Sequence, residues 1–163
     1  MRNWCRFFCK SASPRHKIIL YFYYQMGRIL AIDYGSKRVG LAVTDSLRII
    51  ANGLTTVHSK DLMEYLENYF KKELVDIIVV GEPKTLQNNK SDSARFIDPF
   101  VTHLKRKFPD KKIERFDERF TSAIAHKTML EAGLKKKDRQ DKDMVDMISA
   151  TIILQDYMNS LGK

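Results

Sequence analysis

Arg28-Ile-Leu-Ala-Ile-Asp-Tyr-Gly35 is the stretch on which the fold of this chain turns. Ile29 to Ile32 is a continuous apolar run, the pattern of a central strand buried on both faces. The run ends on a carboxylate, Asp33, and a carboxylate in such a place is costly unless a cation answers it. Gly35 then removes a side chain where another backbone can approach. The ordinary alternative is that Asp before Gly simply begins a turn.

Downstream, Val39, Leu41 and Val43 alternate with Gly40, Ala42 and Thr44, which predicts a second strand after the turn at Gly35-Ser-Lys37. Gly53 to Val57 offers a third, so an antiparallel meander is expected. Asp61 to Lys72 carries Leu62, Tyr65, Leu66, Tyr69 and Phe70 at helical spacing. Asp76-Ile-Ile-Val-Val-Gly81 is again a buried strand, ended by Pro83. A helix follows across Ser91 to Phe108, with Phe96, Ile97, Phe100, Val101 and Leu104 as its apolar stripe. Lys112 to Asp117 is the fifth strand. Thr121 to Ala132 reads as a helix capped by Gly133, and Leu134 to Lys142 as an exposed loop. The last helix is expected from Asp143, as its N-cap, to Met158, burying Val145, Ile148, Ile152 and Tyr157. Three meandering strands followed by alternating helices and strands give an α/β fold: a five-stranded mixed sheet flanked by helices. With no internal repeat or linker, residues 26–163 form one domain.

The formal net charge is +9, of which Arg2, Arg6, Lys10, Arg15 and Lys17 supply five with no acid among residues 1–25. The basic remainder suits a polyanionic partner such as RNA or structured DNA, because phosphate neutralisation drives such binding. Both cysteines, Cys5 and Cys9, lie in the first ten residues without nearby histidines. That excludes a four-ligand zinc site and a disulfide framework, and makes a reducing cytoplasm the natural setting. No apolar run approaches the ~20 residues that cross a bilayer, so no membrane partner is expected. Residues 1–25 form an N-terminal extension rich in aromatics, including Trp4, Phe7 and Phe8, and without the long apolar stretch of a signal peptide. Two readings of it stand: translation begins at Met26 and the extension is not native, or it is a disordered or functional addition.

Cleaving a phosphodiester requires compensation for charge on the attacking and leaving oxygens, which paired Mg²⁺ or Mn²⁺ ions about 3.5–4 Å apart can supply. Such hard cations take oxygen ligands, hence Asp and Glu clustered at strand ends. Asp33 ends the first strand, and Asp117 and Glu118 close the fifth. Asp143 and Asp146 are three apart on the last helix, hence on one face. Asp146 is in register with the small residues Ser149 and Ala150, which predicts that it faces inward. Each acid also has a structural reading, Asp117 as an N-cap for the helix after it and Asp143 as a cap of its own helix. Three acids at strand ends or on the inner helix face together favour the metal site.

Four motifs then resemble a known family. Asp33-Tyr-Gly-Ser-Lys-Arg-Val-Gly-Leu-Ala-Val-Thr-Asp45, Val80-Gly-Glu-Pro83, Asp117-Glu-Arg-Phe-Thr121 and Val145-Asp-Met-Ile-Ser-Ala-Thr-Ile-Ile-Leu-Gln155 are similar to the YqgF family, over roughly Met26 to Ser160. Its bacterial members are described as Holliday junction resolvases and as nucleases of pre-16S ribosomal RNA. The resemblance implies a ribonuclease H-like fold, Mg²⁺ or Mn²⁺ as cofactor, and a cytoplasmic hydrolase acting on the 5′ end of 16S ribosomal RNA, with ribosomal particles among its partners. It implies that Asp33 is the first-strand metal ligand, that Asp117 and Glu118 are the acidic pair after the fifth strand, and that Asp146 is the acid of the last helix. Asp33, Glu118 and Asp146 are then the expected ligands. Arg38 and Arg119 match basic positions that could hold phosphate, where a planar guanidinium binds bidentately, and Lys84 joins them as a substrate-binding candidate. The chain departs from the family pattern at Glu82, where Gly-Leu-Pro is usual. Glu82 is either an additional metal ligand or a solvent-facing loop residue. The loop from Lys84 to Ser91 also lacks its usual Gly, which Asn88-Asn89 can replace because Asn tolerates a left-handed backbone.

Two other classes compete. ATPases of the actin and sugar-kinase type share an Asp-x-Gly on their first strand but need a second domain to close over the nucleotide, and this chain is too short for two. A non-catalytic nucleic-acid-binding assembly factor is the other. The substrate stays open between pre-16S RNA and a DNA junction, and the assembly between monomer and homodimer, since symmetric junction cutting calls for a dimer.

Overall fold

The computed structural model describes residues 26–82, 94–117, 129–131, 133, 137 and 141–162. The elements run β1 (Arg28–Tyr34), β2 (Arg38–Thr44), β3 (Ala51–His58), α1 (Leu62–Phe70), β4 (Val75–Glu82), α2 (Ala94–Lys107), β5 (Lys112–Asp117) and α3 (Lys142–Leu161). One five-stranded sheet has the order β3-β2-β1-β4-β5. The β1–β2 and β2–β3 pairs are antiparallel, whereas β4 lies parallel to β1 and β5 parallel to β4. This is the mixed α/β sheet with flanking helices expected of a ribonuclease H-like fold.

Strand alternation divides the core between the two faces of the sheet. Leu30 and Ile32 of β1, with Ile78 and Val80 of β4, pack against Leu62 and Leu66 of α1 and Ile97 and Leu104 of α2. Ile29 and Ala31, with Ala42 and Val79, pack against Ala150, Ile153, Leu154 and Tyr157 of α3. The central strands are apolar on both sides because helices cover both sides. A fully buried leucine such as Leu66 contributes roughly 1.5–3 kcal/mol through removal from water. Asp33 shares the alternation of Ile29 and Ala31, so it stands at the end of the face covered by α3.

The last helix departs from its expected form in two ways. Its N-cap is Asp141, whose side chain accepts the Asp143 N–H at 3.0 Å, so Asp143 lies in the first turn and is not the cap. Its buried residues are Ser149, Ala150, Ile153, Leu154 and Tyr157, whereas Val145, Ile148 and Ile152 are only half-buried. Apolar residues occur all round the helix between Met144 and Leu154, so periodicity alone does not choose a face. The expected helix over 121–132 falls mostly outside the described residues; Met129–Glu131 is helical, and Gly133, at φ 71°, donates its N–H to the Leu130 carbonyl at 3.0 Å. The extension 1–25 also lies outside them. Among the described residues, no helix is long and apolar enough to cross a membrane.

Candidate active site

The site is built where β1 and β2 pass under the start of α3. Asp33 lies opposite Gly40 in the β1–β2 register. Gly40 is where the helix backbone comes closest, since a Cβ there would overlap the carbonyl of Asp146. On the next strand, a Cβ at Gly53 would lie 2.9 Å from the Met147 Cγ. The Thr56 hydroxyl, opposite Gly40 on β3, donates to the Asp143 carbonyl at 2.6 Å. Small residues on two adjacent strands thus seat the first turns of α3 directly on the sheet, and this brings Asp146 beside Asp33. On the other face Tyr34 stacks on Phe100, ring centroids 4.2 Å apart, and fixes the end of β1.

Burial, and after it the negative charge of Asp146, pushes the Asp33 carboxyl up to about 7. Among the described residues no cation pairs with Asp33. The nearby cation, Arg38, is engaged elsewhere: its Nε lies 2.9 Å from Asp146 Oδ2 and 3.2 Å from Asp143 Oδ1. The bond to Asp146 holds the guanidinium pKa above its ordinary value. Arg38 reaches this place because the β1–β2 turn is tight, with Gly35 N–H donating to the Arg38 carbonyl at 3.0 Å. Both ion pairs run through Nε, and among the described residues the terminal guanidinium nitrogens make no hydrogen bond.

Two neighbouring carboxylates, one of them buried, form an oxygen-donor pair of the kind that a hard divalent cation takes. Among the described residues no group of three or more His, Cys, Asp or Glu converges as a metal-ligating set. Asp33 and Asp146 are the expected ligands that the fold brings together. Glu118, Arg119 and Lys84 lie outside the described residues, and of Asp117 only the backbone is described, in register with Glu82 across β4–β5.

Glu82 goes elsewhere. It shares the alternation of Ile78 and Val80, the face of α1 and α2, and Arg115 Nη1 lies 3.4 Å from its Oε1 and 2.6 Å from Asp98 Oδ1. It is thus on the opposite side of the sheet from Asp33, in an ion-pair cluster of its own. Strand alternation does not single out Gly40, and its small size between Val39 and Leu41 is the one mark of its role. Asp143, three residues before Asp146 on the same helix face, shares Arg38 with it and is not the cap of its helix.

A family model described as "RuvX: Holliday junction resolvase" matches residues 27–160. A Bacteroides fragilis protein named "Putative pre-16S rRNA nuclease" is 57% identical over 135 residues, covering 83% of this chain and 98% of that protein. Proteins of the same name from Phocaeicola vulgatus and Flavobacterium johnsoniae are 58% and 55% identical over 135 residues, covering 83% of this chain and 97% and 98% of theirs. The four motifs, the sheet order and a match that spans nearly the whole described body converge, and the chain belongs to the RuvX family, the group that its motifs resemble under the name YqgF.

Proposed function

We propose that this chain is a phosphodiester-cleaving nuclease that acts with Mg²⁺ or Mn²⁺ on pre-16S ribosomal RNA. The observation that carries the reading is the seating of Asp146 beside Asp33 through Gly40, which places two carboxylates, one with a strongly raised pKa, at the exposed end of the central strands. The names of relatives more than half identical over nearly their full length support the substrate.

Asp33 and Asp146 would hold the cation, with Glu118 as the expected third ligand. When bound, the cation supplies charge stabilisation for the attacking and leaving oxygens. Asp33 must give up its proton to take part, so cation binding at this site would be coupled to proton release. Arg38 keeps Asp146 aimed at Asp33 through Nε and presents its terminal nitrogens to a phosphate of the substrate. Arg119 and Lys84 are the further candidates for holding phosphate. The partners on this reading are the RNA and the ribosomal particle that carries it, in the cytoplasm.

The family's own description favours a second substrate, a four-way DNA junction. A junction resolvase makes two symmetric cuts and so acts as a homodimer, whereas an RNA trimmer can act as a monomer. Purified protein incubated with a pre-16S RNA fragment and with a four-way junction, each with and without Mn²⁺, decides between them. Metal-dependent cleavage of the RNA alone is expected; cleavage of the junction alone, with a dimer in light scattering, overturns the RNA assignment.

A further inference from the structure

The end of the domain away from Asp33 carries a charge arrangement that the cleavage chemistry does not use. α1 and α2 lie side by side on one face of the sheet and finish at the same end, where β4 and β5 begin. Phe70, the last residue of α1, meets Phe108, just past α2, edge to face with centroids 4.9 Å apart. Lys107 Nζ reaches Glu67 Oε1 at 2.5 Å and so ties the two helix ends together. Lys111 closes the corner, with Nζ over the Phe70 ring at 4.8 Å and donating to the Val75 carbonyl at 3.1 Å.

This packing brings the ends of α1 and α2, with Lys71-Lys72 after the one and Lys105-Arg106 in the last turn of the other, to one corner of the domain. All four are exposed, and among the described residues none makes an ion pair with a carboxylate, although the charge of Lys71 helps to hold the Glu67 carboxyl below its ordinary range. Lys71 reaches only the Asn68 side-chain oxygen, at 3.4 Å, and Arg106 only His103, at 3.5 Å. Cations in the last turn of a helix are favoured by its dipole, which accounts for some of the charge on α2. It does not account for Lys71-Lys72, which lie beyond the last turn of α1, nor for the convergence of both groups. Collected like charges repel one another unless a polyanion answers them. The surface is also well separated from the active site. From Arg28, which pairs with Val75, to Asp33 is five residues of strand, about 17 Å at roughly 3.3 Å each.

We propose that Lys71, Lys72, Lys105 and Arg106 form a second phosphate-backbone surface, which holds an RNA segment flanking the one presented to Asp33 and Asp146. The proposal rests on the nuclease reading for the identity of its polyanion, but it concerns binding and can stand or fall separately. Lysines and an arginine without shape-specific partners contact backbone and carry no base preference. The surface therefore adds affinity for longer or structured RNA and leaves the choice of cleavage point to the active site.

The test is fluorescence anisotropy in chelator, where no metal-dependent cleavage intervenes, on two labelled RNAs. One is a short single strand confined to the cleavage site, and the other includes the flanking duplex. Full-length wild type is compared with K72E/K105E/R106E and with the neutral K72Q/K105Q/R106Q, each checked for an unchanged melting temperature. The reversal variant is expected to bind the longer RNA at least about 10-fold more weakly and to lower the log–log salt slope by about 2 to 3, with the neutral variant intermediate. Binding of the short RNA stays within about 2-fold, since single exposed charges act weakly at this distance. Equal loss for both RNAs, or no loss for either, overturns the proposal. So does selective loss of binding to anionic phospholipid vesicles with RNA binding intact. If the chain proves not to cleave RNA, the nuclease reading fails while the anisotropy result still decides this surface.

Discussion

Gly40 of β2 lies against the backbone of Asp146 on α3, so closely that no side chain fits between them. Because Gly40 is also the register partner of Asp33, this one contact sets the separation of the two carboxylates. A methyl group here must lift the helix or bend the strand, and such overpacking costs about 1–3 kcal/mol. Gly40→Ala is therefore expected to lower stability by that amount and to weaken Mn²⁺ binding, read by thermal unfolding and by calorimetry. Loss of stability with metal binding intact contradicts the assigned role of Gly40.

Asp33 gives a pH signature. Its carboxyl titrates near 3.8 without the protein environment and at about 7 in the fold. Between those values the native state holds the extra proton, so this group's contribution to stability falls as pH rises from about 4 to about 7. Asp33→Asn carries no such penalty. In the absence of divalent cations it is expected to exceed the wild type in stability by on the order of a few kcal/mol at about pH 8, with the difference vanishing below about pH 4. Denaturant unfolding across that range checks the sign. A variant less stable than wild type at the alkaline end contradicts the burial argument.

Arg38 separates chemistry from stability. Its pairs with Asp146 and Asp143 are half-exposed, and ion pairs of that kind add little to stability. Arg38→Ala is expected to leave the melting temperature nearly unchanged while lowering single-turnover cleavage at least about 10-fold, a step of RT ln 10 in the barrier. Arg38→Lys recovers only part of the loss, because an ammonium cannot hold Asp146 and a phosphate in one plane. Full recovery in the lysine variant contradicts the bidentate role.

Much of this was legible in the chain itself. The apolar run Ile29–Ile32, the alternation from Val39 to Val43 and the stripes of α1 and α2 mark elements whose periods are unmistakable, and the sheet follows from their order. The inward aim of Asp146 was also readable from Ser149 and Ala150, because only small residues let a helix settle on a sheet. The side of the sheet taken by Glu82 was not. Every residue from Ile77 to Val80 is apolar, so alternation carries no label for either face. The ion pair from Arg38 to Asp146 was not readable either, because it joins residues 108 positions apart and exists only once Gly40 seats the helix. Asp141, rather than Asp143, caps α3 in a segment where several aspartates are equally good caps by type.

The central claim is that Asp33 and Asp146 act together to cleave RNA with a divalent cation. The most direct measurement compares wild type, Asp33→Asn and Asp146→Asn on a pre-16S RNA fragment with Mn²⁺, following cleavage on a gel and RNA binding by anisotropy. Both variants are expected to lose metal-dependent cleavage by at least about 10²-fold, an electrostatic loss of the size seen when one stabilising group is removed, while still binding the RNA. Cleavage by either variant at the wild-type rate contradicts the account.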